Sequence, residues 1–206
     1  DMNYGLSNAN GRLVLESLTA FFPGLQVLLG EVVPAARSLN SFFLVREALG
    51  FLPERFHYGL WILDPGRAGA GKHPLRPELL ESSYMLSNHD DSWLWSADFS
   101  LWHMEDVCRV ECGYAGIEDV NGNALMNEMP SFFLSETLKY LYLTFDRDNI
   151  LKNDDDHQWV FTTEAHPIHH VPKSSRKLSA DIAAVKNILK ARLHGKHAHR
   201  KSNDLI

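Results

Sequence analysis

Two predicted helices carry glutamates in positions suited to carboxylate chemistry. In RPELLES, Glu78 and Glu81 lie three residues apart on one face of a helix that begins at Pro77. In SFFLSETLKYLYLTF, Glu136 falls near the middle of a segment that is hydrophobic nearly all round, which predicts a buried helix. Glutamates are common in a first helical turn because of the helix dipole, so the pair by itself indicates little. A buried carboxylate is costly unless it is paired, hydrogen-bonded or bound to a metal, so Glu136 favours a functional site over a satisfied structural network.

Hard oxygen ligands follow the one clear strand candidate, WVFTT at residues 159–163. Thr162, Thr163 and Glu164 stand together at its end, in the stretch FTTEAHPI. Threonine hydroxyls, backbone carbonyls and carboxylates are the oxygen ligands that calcium prefers. The sequence therefore places candidate calcium ligands directly after this strand.

The residues before the glutamate pair suggest a different chemistry, because GRAGAGKH nearly spells a phosphate-binding loop. Such a loop needs a preceding strand, a lysine, and a Ser or Thr that holds magnesium at the start of a helix. Lys72 is present and YGLWIL could form a short strand, but His73 occupies the Ser/Thr position. Pro74 then prevents a helix from starting there. The glycines therefore predict a flexible surface loop rather than a nucleotide site.

The elements that must position these residues are mainly helices. Apolar spacing and flanking Pro and Gly residues predict helices over 11–29 (with Pro23 as a kink or break), 34–51, 77–88, 92–110, 130–145 and 179–193. Long polar or Gly-rich connectors at 52–76, 113–129 and 146–158 alternate with short ones. Helix pairs joined in this rhythm indicate αα-hairpins stacked side by side.

Composition narrows the function classes. A chain of 206 residues with 45% hydrophobic residues has ample material for a core. Residues 172–206 carry nine Lys and Arg against two acids, so the rest of the chain holds a charge of −13 within a total of −6. Because residues 1–171 are so acidic, they are a poor match for a nucleic-acid-binding surface. The basic tail is predicted to be solvated. Two cysteines exclude a disulfide scaffold, and no apolar stretch has membrane length.

Three motifs in order, LRPELLES, SFFLSETLKYLYLTFD and VFTTEAHPI, resemble the class I α-1,2-mannosidases of glycoside hydrolase family 47. The stretches SLTAFFPGLQVLLGEV, LPERF and VECGYAGIEDV resemble the branch called ER degradation-enhancing α-mannosidase-like proteins. The resemblance runs from about residue 12 to 168 and covers the C-terminal part of the family's catalytic domain. It implies an all-α fold in which residues 1–171 form αα-hairpins of a partial (α/α)7 barrel, with a β-hairpin plug near the C-terminal end. Residues 172–206 lie outside the resemblance; their charge and the helix predicted over 179–193 indicate a basic C-terminal helix and tail.

The resemblance also implies roles for individual residues. Glu78 would be the general base, and Thr163 would ligate Ca²⁺ through its hydroxyl and its carbonyl. Glu54 and Glu81 would be supporting carboxylates. The side chains implied to line the terminal mannose site or to hold calcium-bound waters are Arg76, Phe132, Glu136 and Glu164.

The implied activity is calcium-dependent hydrolysis with inversion, in which an acid and a base stand roughly 6.5–9.5 Å apart on opposite faces of the sugar. The family's general acid lies in earlier segments, and no Asp or Glu in residues 1–60 is assigned to that role. We therefore expect an α-1,2-mannosidase segment that trims high-mannose N-glycans on misfolded glycoproteins in the endoplasmic reticulum lumen. The alternative is a catalytically incomplete, lectin-like module that binds mannose.

The cysteines bear on partners. Cys112, in ECGYA, matches a family cysteine that forms a disulfide to an upstream segment, and a thiol oxidoreductase is a further candidate partner. A disulfide of this kind belongs to an oxidising compartment. Cys108 has no such counterpart, so a buried free thiol is its expected state.

Overall fold

The computed structural model describes residues 13–153 and 158–170. The chain divides into two compact units between Asn149 and Ile150. The predicted helix over 179–193, and the predicted boundary between residues 171 and 172, lie outside the described residues.

Helices dominate the first unit, and most match the sequence prediction within a few residues. They are α1 (Phe22–Leu28), α2 (Val32–Leu49), α3 (Glu78–Ser87), α4 (Leu94–His103) and α5 (Leu138–Phe145). A 3-10 turn precedes α1 (Ser17–Phe21), and another precedes α4 (Asp91–Trp93). One π-helical turn follows α4 (Met104–Cys108), and a second precedes α5 (Phe133–Thr137). Gly50 ends α2 with φ of 80°, a left-handed conformation that favours glycine.

The predicted helix over 11–29 is wrong in its first half. Val14–Glu16 is strand β1, and α1 begins only at Phe22, with Pro23 in its first turn. Proline is tolerated there because that amide would have no intrahelical acceptor. The strand forms because β1 pairs antiparallel with β2 (Arg55–His57), a partner that local spacing could not reveal.

The long connectors contain further short strands, so the expectation of a single good strand candidate is wrong. β2 continues to β3 (Ile62–Leu63) to make a three-stranded sheet. Two two-stranded ribbons follow, made of β4 (Arg109–Val110) with β5 (Gly113–Tyr114), and β6 (Ile117–Asp119) with β7 (Ala124–Leu125). These ribbons are two or three residues long, too short for a clear alternation of apolar and polar residues.

Helix α3 is central to the first unit, since eight of its ten residues are buried. Its serines allow α1 to approach closely: Ser82 Oγ donates to the Ala20 carbonyl at 2.5 Å and accepts from the Gly24 amide at 3.0 Å. A Cβ on Gly24 would stand 3.0 Å from Met85 Sδ. The apolar core lies on the same side, between α1, α2 and α3, and includes the fully buried Leu39.

The second unit holds a short helix α6 (Ile150–Asn153) and a hairpin of β8 (Gln158–Phe161) and β9 (Pro167–His170). Trp159 pairs with His169 in the antiparallel register. The strand predicted over 159–163 is confirmed, although it ends at Phe161 and the two threonines form the turn. In the described part of the chain, none of the helices has the length and apolar character needed to cross a membrane.

Candidate active site

Glu78 is the first residue of α3, and it interacts electrostatically with the carboxyls of Glu54, Glu81 and Glu136. Its Oε1 stands 3.9 Å from Nη1 of Arg76. Its Oε2 is buried and has no hydrogen-bond partner among the described residues. Burial raises the pKa of this carboxyl, while its own backbone amide and Arg76 oppose the rise; Glu136 and Glu54 add to it. The result is a partly desolvated carboxylate with one oxygen free to accept a proton.

Arg76 is held in place by Glu54. The guanidinium donates from Nε to Oε1 and from Nη2 to Oε2 at 3.0 Å, a bidentate pair. Ser17 adds a hydrogen bond to Glu54 at 2.9 Å. Burial raises the pKa of Glu54, but the hydrogen bonds from Arg76 and Ser17 outweigh it and the net pKa is lowered. The Arg76 guanidinium also lies 5.8 Å from the centroid of the Phe132 ring, within the range of a cation–π contact.

Glu81, one turn further along α3, is hydrogen-bonded to the hydroxyl of Tyr140 in α5 at 2.7 Å. The pKa of Glu81 is raised to about 7, chiefly by burial. The hydrogen bond from Tyr140 opposes the rise, and the charges of Glu78 and Glu136 add to it. Burial and the nearby Glu81 raise the pKa of Tyr140 in turn. Glu81 is therefore divided between its acid and its ionised forms near neutral pH.

Glu136 sits in the π-helical turn Phe133–Thr137 that precedes α5. Its charge raises the pKa of Glu78, and also that of Glu81, so the three carboxyls form one electrostatic group. A π-helical turn re-aims the side chains of a helix and is frequent at functional sites. Thr137 ties this turn to the start of α3, because its hydroxyl donates to the Leu75 carbonyl at 2.7 Å.

Leu75, the residue before Arg76, has an unusual backbone. Its φ is 60° although it is not glycine, and its side chain is fully buried. Such a conformation costs free energy and persists only where the surroundings hold it. Burial of the side chain and the hydrogen bond from Thr137 supply that restraint.

The structure brings six of the sequence-predicted residues together in the first unit: Arg76, Glu78, Phe132, Glu136, Glu54 and Glu81. Thr163 and Glu164 lie in the second unit, exposed in the turn between β8 and β9. Among the described residues, no group of three or more His, Cys, Asp or Glu side chains is arranged to hold a metal ion. Sequence reasoning missed Tyr140 and Ser17. Tyr140 was detectable, because it stands four residues after Glu136 on one helix face.

The loop that resembled a phosphate-binding loop does not have that geometry. Several of its amides donate to protein oxygens, including Gly66 N to Asp64 Oδ1 at 3.0 Å and Lys72 N to the Gly69 carbonyl at 3.1 Å. Nδ1 of His73 is hydrogen-bonded to the Leu52 carbonyl at 2.8 Å, and desolvation lowers the pKa of His73 to about 4. No helix follows until Glu78. The helix that must start directly after a phosphate-binding loop is therefore missing.

Comparison with models of protein families shows which family the chain belongs to. Residues 3–170 match the model of glycosyl hydrolase family 47. The chain belongs to this family.

Relatives of this family 47 chain carry mannosidase names. It is 39% identical to Alpha-mannosidase I MNS4 of Arabidopsis thaliana, over 79% of this chain and 26% of that protein. It is 40% identical to ER degradation-enhancing alpha-mannosidase-like protein 1 of Schizosaccharomyces pombe, over 77% of this chain and 20% of that protein. The resemblance noted from the motifs is thereby confirmed. This family 47 chain spans between a fifth and about a quarter of the length of these relatives.

A solved structure supports the assignment. The alpha-1,2-mannosidase from Trichoderma reesei superposes with a TM-score of 0.60 at 30% identity, over 76% of this family 47 chain and 39% of that chain. The helical architecture of the first unit agrees with that neighbour.

Proposed function

We propose that this chain is a segment of a calcium-dependent, inverting α-1,2-mannosidase that trims high-mannose N-glycans on misfolded glycoproteins in the endoplasmic reticulum lumen. Family membership and the mannosidase names of the relatives support the reaction class. The relatives named ER degradation-enhancing alpha-mannosidase-like proteins support the compartment and the role in glycoprotein degradation. The fold that goes with this proposal is part of an (α/α)7 barrel, with the β8–β9 hairpin as its plug.

The observation that carries the proposal is the environment of Glu78. A general base needs a free oxygen lone pair and an ionised carboxyl. Oε2 of Glu78 is buried without a hydrogen-bond partner among the described residues, and Arg76 at 3.9 Å favours the ionised form. Burial raises the pKa and so makes the carboxylate a stronger base.

In the proposed reaction Glu78 takes a proton from a water whose oxygen attacks the anomeric carbon of the terminal mannose. The bond from that carbon to the leaving oxygen breaks, and a carboxylic acid protonates the leaving oxygen. Among the residues that the structure describes, Glu78 is the proposed base and none is assigned as the acid. Phe132, the aromatic partner of Arg76, presents a ring to the apolar face of the sugar, and Glu136 accepts hydrogen bonds from sugar hydroxyls or waters.

Thr163 and Glu164 are the residues that would hold calcium and its waters. The turn of the hairpin exposes both, and a threonine hydroxyl, a carbonyl and a carboxylate are suitable ligands. When bound, calcium would polarise and orient vicinal sugar hydroxyls.

Thermal unfolding of the 206-residue chain, with calcium or a chelator and with or without a mannose-configured inhibitor, tests this function. A ligand at 100 times its Kd stabilises the native state by about 2.7 kcal/mol. For a chain of this size, that corresponds to a rise in the midpoint of roughly 5–10 °C. The expected result is a rise that needs calcium and is larger with inhibitor. A transition indifferent to both additions would refute the proposal.

The second candidate function is a lectin-like module that binds mannose through the same side chains. The two are separated by incubating the chain with a high-mannose glycan and measuring free mannose. Release of mannose that is abolished by Glu78→Gln, with inhibitor binding retained, identifies the enzyme. Calcium-dependent glycan binding without release identifies the lectin.

A thiol oxidoreductase partner is proposed through Cys112. This cysteine is exposed and free, so its thiol is accessible for a mixed disulfide. Cys108 is buried, and burial raises the pKa of its thiol to about 12, which leaves it unreactive.

A further inference from the structure

A cavity of about 390 Å³ opens beside the Glu54–Arg76 pair. Its size lies within the range of small-molecule pockets, roughly 300–1,000 Å³. Its lining includes Glu16, Ser17 and Leu18, and also Arg67 and Lys72 of the glycine-rich loop. Glu78 lies just beyond Arg76, so the cavity adjoins the site proposed for the terminal mannose.

The glycine-rich loop, residues 64–72, is fixed to the body of the first unit at both ends. The Glu54 amide donates to the Lys72 carbonyl at 2.8 Å, and the Arg55 amide donates to the Ala70 carbonyl at 3.0 Å. The Asp64 side chain accepts from Arg55 Nε at 2.9 Å. The exposed middle of the loop, with Arg67, is therefore held at the rim of the cavity.

The cations of the cavity differ in what they already contact. Arg55 is paired with Glu16 and Asp64, Lys72 with Glu118 at 2.8 Å, and Arg76 with Glu54. Of the cationic side chains that line the cavity, Arg67 is the one for which no ion pair or side-chain hydrogen bond is found within residues 13–153 and 158–170. Its five N–H donors are therefore available to a ligand.

The chemistry of the walls suits a sugar. Carboxylates of Glu16 and Glu54 accept from hydroxyl groups, Arg67 donates to them, and Leu18, which is 53% exposed, offers an apolar surface to a ring face. The charges of the wall are largely balanced by neighbouring ion pairs, which disfavours a multiply charged anion.

We propose that Arg67 is a specificity-determining residue that contacts the part of the glycan beyond the terminal mannose, and that the glycine-rich loop thereby selects longer mannose chains over single sugars. This inference rests on the proposed function, because it assumes that the terminal mannose binds at Glu78.

The test is isothermal titration calorimetry with two probes: a mannose-configured iminosugar that fills the terminal site alone, and a sulfur-linked α-1,2-mannobioside that resists hydrolysis. Arg67→Ala is expected to raise the Kd of the mannobioside about tenfold or more, because a hydrogen bond to a charged group is lost. The Kd of the iminosugar should stay unchanged. Arg67→Lys should recover the affinity only in part, since lysine lacks the planar fork. Arg37→Ala, which removes an exposed arginine of α2, is the matched control.

Each outcome separates the two proposals. If the unchanged chain binds the iminosugar and Arg67→Ala leaves the Kd of the mannobioside unaltered, the proposed function stands and the role of Arg67 is refuted. An equal loss for both probes also refutes that role, because it indicates a general change in structure. If the unchanged chain binds neither probe, the proposed function and this inference both fail.

Discussion

Replacing Glu81 with Gln is expected to stabilise the chain at pH 8 and to change its stability little at pH 5. The folded state raises the pKa of this carboxyl from 4.5 to about 7, chiefly through burial. A raised pKa means that the folded state binds the proton more tightly than the unfolded state. Its contribution to stability is complete below pH 4.5 and is lost as the pH rises through the window from 4.5 to 7.

The size of the effect follows from that shift. One pKa unit corresponds to about 1.36 kcal/mol, so ionising Glu81 in the folded state costs on the order of 3 kcal/mol above pH 7. At pH 5 Glu81 is still mostly protonated in the folded state, so its cost to the free energy of unfolding is under about 1 kcal/mol. Gln keeps an acceptor for the Tyr140 hydroxyl but carries no charge, so it avoids the cost.

Urea unfolding at pH 5 and pH 8, in a calcium-free buffer with chelator, measures this difference. The unchanged chain should lose more stability than Glu81→Gln between the two pH values, by about 2–3 kcal/mol. Glu128→Gln, which removes an exposed carboxylate from a loop, should behave as the unchanged chain does. If Glu81→Gln loses as much stability as the unchanged chain, the burial of a charge at this position has been misjudged.

Two further predictions concern the buried hydrogen bond between Thr137 and Leu75 and the reactivity of the two cysteines. Thr137→Val should destabilise the chain by about 1–3 kcal/mol in urea unfolding, because it leaves the buried Leu75 carbonyl without its hydrogen bond; Thr137→Ser keeps that bond, and equal stability of the two variants would contradict the argument. A thiol reagent at pH 8 should modify the exposed Cys112 and leave Cys108 unmodified until urea is added, since burial raises the pKa of Cys108 to about 12. Mass spectrometry of the native chain reads this out, and rapid double modification would contradict it.

Much of the helical fold was predictable because its signals are local. Gly50 and the proline near the start define the ends of α2, and Pro77 defines the start of α3. Strand β1 was predicted as helix, because its apolar residues also fit helical spacing and its partner β2 lies some forty residues further along the chain. Strand pairing of this kind is a property of the folded chain and leaves no trace in a short window of sequence.

The candidate site divides in the same way. The sequence by itself determined the family, through motifs whose residues are neighbours in the chain, and it identified Arg76, Glu78 and Glu136 as chemically significant. Only the tertiary structure decided the hydrogen-bond partners and the pKa values of those residues. The pairing of Arg76 with Glu54, and of Glu81 with Tyr140, joins positions 22 and 59 residues apart.

The pKa shifts depend on the distances between charges and on burial, and both are set when the helices pack. The same Glu81 in an unfolded chain would ionise near pH 4.5, whereas in the folded chain burial, and to a smaller extent the charges of Glu78 and Glu136, raise its pKa to about 7. Likewise, the glycine-rich loop partly matched a phosphate-binding motif by residue type, but in the folded chain no helix begins directly after it, as that motif requires. Residue identity is carried by the sequence, whereas the electrostatic environment of each residue is created by the fold.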